Sequence, residues 1–239
     1  MVSWFEALKD LLFPPRCSGC GQWLASSRPP LFCPLCRDQL RYLQSPHCTC
    51  CGAPFTTGAD HLCGDCLAGR FAFDLARSLL LYRPPASPIL RALKYNGRMT
   101  GIDSLGALTV ASGIAAQFYP PDLVLPVPLS PQRLRERGFN QALLIARACL
   151  PQWRERIDPD LLQRLRHTPP QSRLRGKERR VNLKQAFHLA APDRVVGRDI
   201  LLVDDVFTSG STVHECSLVL RAAGAKRIEV FTLARSPMG

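Results

Sequence analysis

The sequence predicts an α/β protein, a parallel sheet flanked by helices, behind a small cysteine-rich module. Three observations carry that expectation. From Ala76 onward, short apolar runs of strand length alternate with stretches of helical periodicity. One of those runs, Ile200-Leu201-Leu202-Val203, opens a strand–turn–helix unit: two acids, a hydroxyl-rich stretch, then an amphipathic run from Val213 to Ala223 closed by Gly224. Nine of the eleven cysteines fall within the first 66 of 239 residues. The expected division is residues 1–70 for the cysteine module and 71–239 for the α/β part.

The cysteines come in pairs. Cys17-x-x-Cys20 and Cys33-x-x-Cys36 are separated by twelve residues, Cys48-x-x-Cys51 and Cys63-x-x-Cys66 by eleven. Each pair sets two thiolates on one tight turn, and two such turns close a tetrahedral shell around Zn²⁺. Pairing in sequence makes two consecutive zinc ribbons; a cross-braced arrangement, first pair with third, is the alternative. Four thiolates leave no open position, so the metal is structural, and in so small a module it supplies folding energy. Disulfides would need an oxidising compartment, which nothing else in the chain supports, and a cytoplasmic location is expected. Cys50 is surplus to the eight and reads as a thiol beside the metal shell or facing solvent. Cys149 and Cys216 stand alone on helical patterns and read as core fillers.

No apolar stretch is long enough to span a membrane, and the opening residues lack the pattern of a secretory signal. Trp4, Phe5, Leu8, Leu11 and Leu12 instead mark a short amphipathic helix packed on its own protein, with docking to a membrane surface or a partner as the alternative. The net charge is +12, and it is uneven: from Pro128 to Gln185 there are 14 Lys/Arg against 5 Asp/Glu. Such a segment suits an anion: nucleic acid, pyrophosphate, or both.

In order along the α/β part, Ala76 to Tyr82 reads as a strand and Pro84-Pro85 as a turn. A helix is expected from about Gly101 to Phe118, and a strand over Asp122 to Leu129 that ends in prolines. A basic loop, Ser130 to Arg137, follows that strand, and a helix runs from Gln141 to about Leu150. A basic loop at the C-terminal end of a parallel strand lies where such sheets bind ligands. The polar stretch between Arg164 and Phe187 reads as a mobile lid, with a disordered basic connector as the alternative, and Ile200 to Val203 and Ile228 to Leu233 complete the sheet.

The unit after Ile200 has the parts of an anion cradle. Helix N-terminal amides are unpaired, the helix dipole favours negative charge there, and Thr208, Ser209, Gly210, Ser211 and Thr212 add hydroxyls and a tight turn. No Lys follows the Gly, so this is no Walker loop. The run with Asp204-Asp205 and Thr208-Ser209-Gly210-Ser211-Thr212 resembles the phosphoribosyl pyrophosphate (PRPP) loop of type I phosphoribosyltransferases. That resemblance implies ribose-binding acids at Asp204 and Asp205, a 5′-phosphate site at residues 208–212, and Mg²⁺ accompanying PRPP.

Further motifs sharpen the resemblance. The Cys-x-x-Cys repeats, Leu93-Lys94-Tyr95-x-Gly97, Val127-Pro128-Leu129 with Arg133 and Arg137-Gly138-Phe139-Asn140-Gln141, the Thr168…Gln171…Arg180-x-Asn182…Ala186-Phe187 series and the PRPP-like loop together resemble the ComF family. The resemblance implies a double zinc ribbon, a type I phosphoribosyltransferase-like sheet, and a part in taking up DNA or using it as a nutrient. Two function classes follow. As an enzyme, the chain would transfer ribose 5-phosphate from PRPP to a nitrogen acceptor, with Arg133, Arg137, Arg173, Arg175 and Lys177 meeting the pyrophosphate. As a binding module, the same cations would hold single-stranded DNA while the ribbons dock a partner such as a helicase. Aromatic interleaving for base stacking is thin, with Phe139 and Phe187 as its main members.

Overall fold

A computed structural model describes residues 12–95, 101–165 and 186–237. Four strands form one parallel sheet: β1 (Leu75–Leu81), β2 (Leu123–Pro126), β5 (Asp199–Phe207) and β6 (Arg227–Arg235), in the spatial order β1-β6-β5-β2. β5 and β6, the central pair, are buried along nearly their whole length, as parallel strands covered on both faces are. Two short antiparallel strands, β3 (Leu162–Arg164) and β4 (Phe187–Leu189), form a separate pair.

Helices cover both faces. On one, α3 (Ala86–Tyr95), α4 (Ile102–Ser112) and α6 (Gln141–Cys149) pack Leu90, Leu105 and Ile145 against Leu201, Val203 and Phe231. On the other, α7 (Ser211–Ala222) sets Val213, Cys216 and Leu220 against Ile200, Leu202, Ile228 and Val230. The β3–β4 pair joins this second side through Leu162, Phe187 and Leu189.

The cysteine module wraps the β1 edge and divides across the sheet. Cys17, Cys33 and Cys36 belong to the α3/α4 side of the core, Cys48 and Cys51 to the α7 side. Between them the module covers the exposed edge of β1. Leu43 N–H donates to Leu79 O (3.0 Å), Leu81 N–H to Arg41 O (2.8 Å) and Ala76 N–H to Cys50 O (2.7 Å). An uncovered edge would offer those groups to another chain. Two helices of the module are single turns, α1 (Pro34–Asp38) and α2 (Gly64–Leu67), each starting just after a cysteine.

Several elements differ from their sequence-based limits. The stretch 130–137 is no loop but a helix, α5 (Pro131–Arg137), with Ser130 as N-cap and proline in the first turn. The helix expected from Gly101 to Phe118 stops at Ser112, where Gly113 takes a left-handed conformation, and resumes as a 3-10 turn over Ile114–Gln117. β5 runs on through Asp204 and Asp205 to Phe207, because β6 pairs with it that far. The N-terminal amphipathic stretch, apart from Leu12 and Phe13, and the polar stretch 166–185 lie outside the described residues. Among the described residues no helix is long and apolar enough to cross a membrane.

Candidate functional site

The eight paired cysteines gather into two clusters, Cys17/Cys20/Cys33/Cys36 and Cys48/Cys51/Cys63/Cys66, with the sulfurs of each within 4.8 Å of one another. Pairing is therefore sequential, not cross-braced. The Cys20–Cys33 and Cys51–Cys63 sulfurs lie 3.8 and 3.7 Å apart. A tetrahedron with Zn–S bonds of about 2.3 Å has edges of about 3.8 Å, so both clusters fit a structural zinc ion. Backbone amides favour thiolates at each: Cys33 N–H donates to Cys17 Sγ and Cys63 N–H to Cys48 Sγ, both at 3.3 Å. Burial raises the Cys17 and Cys48 thiols, but backbone N–H donors outweigh it and bring each to about 6. Cys50 stays outside the cluster, half-buried, with burial pushing its thiol up. Cys149 and Cys216 are buried core residues; burial raises Cys149 to about 12 and Cys216 well above the ordinary thiol value.

The second centre is held by arginines of the sheet. Arg77, on β1, donates through Nη2 to Thr49 O (3.0 Å) and through Nη1 to Cys50 O (3.3 Å). Arg235, at the end of β6, donates through Nη1 to Cys51 O (2.7 Å) and through Nη2 to Cys51 Sγ (3.7 Å). Contacts of this kind orient metal ligands.

At the C-terminal ends of β2 and β5 the chain builds a polar site. Gly210 caps α7 at φ +72°, and Ser211 opens the helix. Ser209 Oγ and Ser211 Oγ are 2.8 Å apart, and Ser211 N–H points at Ser209 Oγ (3.4 Å). Gly210 and Ser211 are buried, Ser209 and Thr212 half-buried, Thr208 exposed. Asp205 N–H donates to Asp204 Oδ1 (2.8 Å). Strand alternation turns Asp204 toward α7, where its charge acts on Cys216 and Arg164.

The cations come from two elements. Because 131–137 is helical, Arg133 and Arg137 lie one turn apart; both are half-buried while Gln132, Arg135 and Glu136 are exposed. Asn140 fixes the next helix, accepting from Ala142 N–H (2.9 Å) and donating to Val127 O (3.1 Å). Arg164 of β3 is 8 % exposed and stacks 5.3 Å from the Phe187 ring. Burial lowers its pKa and Arg133 repels it, while Asp204 favours its charge. Sequence reasoning passed over Arg164; its place two residues after the apolar pair Leu161-Leu162 was the available signal. Arg173, Arg175 and Lys177 lie outside the described residues.

A cavity of about 590 Å³ reaches the turn from the α7 side, through Ser209 and Ser211, with Arg70, Phe71, Phe187 and His214 in its wall. Glu215 lines it, whereas Asp204 and Asp205 do not. The site as a whole sets acids, hydroxyls, a helix N-terminus and arginines around the ends of two adjacent parallel strands. That mixture can accept from sugar hydroxyls on one side and donate to anionic oxygens on the other.

The double zinc ribbon family model matches residues 8–67. Competence protein F of Haemophilus influenzae is 34% identical over 210 residues, covering 85% of this chain and 90% of that protein. DNA utilization protein YhgH of Escherichia coli K12 is 35% identical over 195 residues, 79% of this chain and 84% of its own. Competence protein ComFC of Bacillus subtilis is 30% identical over 213 residues, 85% and 84%. With such identity over most of both chains, and two cysteine clusters where the ribbon model matches, the chain belongs to the ComF family.

Proposed function

We propose that the chain acts in the uptake of DNA or its use as a nutrient, and that its α/β part, residues 71–239, binds PRPP or a related sugar phosphate on a phosphoribosyltransferase-like sheet. Residues 1–70 form the ribbon module, which braces the sheet edge and offers a docking surface to a DNA-uptake helicase or another protein. The observation that carries the reading is the end of β5, where two acids precede a turn whose Ser209 and Ser211 hydroxyls meet 2.8 Å apart at a helix N-terminus. Carboxylates repel phosphate and accept from sugar hydroxyls, so a ligand carrying both groups suits this strand end better than phosphate alone. The names of the relatives, competence and DNA utilization proteins, support the biological setting. Eight thiolates held for zinc suit a reducing compartment, in keeping with the cytoplasm.

In this reading Asp204 and Asp205 hold the ribose hydroxyls, and the amides and hydroxyls of 208–212 hold the 5′-phosphate. Arg133, Arg137 and Arg164 face the pyrophosphate, and residues 173–177 add cations from the chain between β3 and β4. Mg²⁺ bound with PRPP would neutralise part of the pyrophosphate charge. If the chain is a transferase, a nitrogen acceptor forms its bond to ribose C1 as the C1–O bond to pyrophosphate breaks. The arginines then stabilise charge developing on the leaving group. A second reading, a single-stranded DNA-binding module, draws on the net charge of +12.

Calorimetric titration of Mg²⁺·PRPP into the zinc-loaded protein and an Asp204→Asn/Asp205→Asn variant separates the two. Saturable binding lost in the variant supports the sugar-phosphate site, after which nucleobases can be screened as acceptors. No PRPP binding, with salt-steep binding of single-stranded DNA, refutes it in favour of the second reading.

A further inference from the structure

The two metal centres stand in different relations to the turn at 208–212. The first packs on the α3/α4 side, where Leu31 N–H donates to Ser104 Oγ of α4 (3.0 Å). The second shares the α7 side with the turn and reaches it by two routes.

One route is Arg235, 5 % exposed. Its guanidinium binds Cys51 O and Sγ and lies 4.3 Å from the centre of the Phe207 ring. Phe207 in turn fills the space over Gly210: a Cβ there would come within 2.6 Å of the ring. The other route is the chain leaving Cys66. Phe71 crowds the same point, at 2.7 Å from a Cβ on Gly210, and stacks on Phe73, which meets Phe207 edge-on. Between them Ala72 N–H donates to His214 Nδ1 (3.2 Å), and Arg221 Nε donates to Ala72 O (3.2 Å). A ligand thiolate, a buried guanidinium and three packed rings thus run without a gap from the second centre to the N-cap of α7. Packed cores of this density transmit displacement rather than absorb it.

We propose that zinc at the second centre holds the 208–212 turn in its ligand-binding conformation, and that Arg235 is the positioning residue that transmits this. The first centre stabilises the fold without acting on the turn. The inference rests on the anion-binding reading of that turn given above. By linkage, if zinc at the second centre tightens phosphate binding, a phosphate ligand tightens zinc at that centre by the same factor. Couplings of this kind are typically about 5- to 150-fold. A role for Arg235 confined to general stability would not make the metal affinity of one centre depend on a ligand at α7.

The test uses the full chain loaded with two zinc ions. Zinc affinities are measured by chelator competition with and without Mg²⁺·PRPP, and with inorganic phosphate as the simpler probe. Cys20→Ser and Cys63→Ser variants assign the two affinities to their centres. Amide hydrogen exchange of residues 208–214, read by mass spectrometry, follows the turn without any ligand. The expected result is that ligand strengthens zinc binding at the second centre alone. Partial removal of that zinc, or Arg235→Gln with both ions retained, should raise exchange at 208–214 severalfold. Arg77→Gln, which removes a guanidinium from the same cysteine turn but not from Phe207, should leave the exchange unchanged. Unaltered exchange in Arg235→Gln, or equal ligand effects on both centres, overturns the proposal. If the wild-type chain binds neither PRPP nor phosphate, the anion-site reading fails, while the exchange measurement alone still decides whether the second centre positions the turn.

Discussion

Two glycines in nearly the same backbone conformation allow the packing over the α7 N-terminus to be measured. Gly210 has φ +72° and Gly113, at the end of α4, φ +67°. Alanine at either position bears the left-handed penalty of about 1–2 kcal/mol. Only the surroundings differ. A Cβ at Gly113 has nothing within 4 Å, whereas at Gly210 it lies 2.6 Å from Phe207 and 2.7 Å from Phe71. Those distances are about 1 Å short of ordinary carbon–carbon contact. Arg235 covers Phe207, and Phe71 stacks on Phe73 with centres 4.8 Å apart, so either ring must give up a packed contact to make room. Overpacking of this kind costs about 1–3 kcal/mol. Gly113→Ala should therefore lose about 1–2 kcal/mol and Gly210→Ala about 2–5 kcal/mol. Urea unfolding of zinc-saturated protein gives both values, and an unchanged slope with denaturant keeps the comparison valid. Equal losses in the two variants would refute the crowding, and with it the claim that Phe207 and Phe71 fix the turn.

Three other outcomes follow from the structure. Elemental analysis should find two zinc ions per chain, and strong chelation should unfold the module, bare the β1 edge and cause self-association visible by size-exclusion chromatography. Cys50→Ser should retain both zinc ions, because Cys50 lies outside either cluster; a fall to one would make it a ligand. Glu229 is raised above the usual carboxyl value by burial and by Asp74 and Asp199, against Tyr119 N–H and Arg227. Its protonated form is thus favoured on folding, so its contribution is complete below the unfolded pKa and is lost as pH rises through the raised folded value. Glu229→Gln should gain stability relative to wild type across that window, read as a difference in urea midpoint between acidic and neutral pH; a pH-independent difference contradicts the shift.

The legibility of this chain in its sequence depended on how local each feature is. The metal centres were readable because both thiolates of each pair sit on one turn, so spacing alone specifies the knuckle. The turn after β5 was readable for the same reason: Asp204 through Thr212 are contiguous. Arg133 was singled out on charge, yet its helix went unrecognised although Ser130-Pro131 is an N-terminal capping pattern. β3 and β4 escaped because each is three residues long and gains its pairing across a separation of more than twenty residues. Arg164 was lost with them.

What no periodic reading could reach is a break in strand alternation that crosses the sheet. On β6 Phe231 and Leu233 face the α3/α4 side, so strict alternation would send Arg235 there too. Instead Leu233 and Ala234 both belong to that side, as do Leu79 and Leu80 on β1, with Leu80 and Val206 each paired to Ala234. On β5 the same step leaves Val206 against the α3/α4 core and turns Phe207 to the α7 side. Phe207 and Arg235, which are register partners, therefore emerge together toward α7 and the second cysteine cluster. The break brings a metal centre some 150 residues upstream in the chain against the turn that follows β5. Without it, Arg235 would lie in the opposite core layer, and the second ribbon would reach the turn only through the chain leaving Cys66, by Phe71 and Phe73.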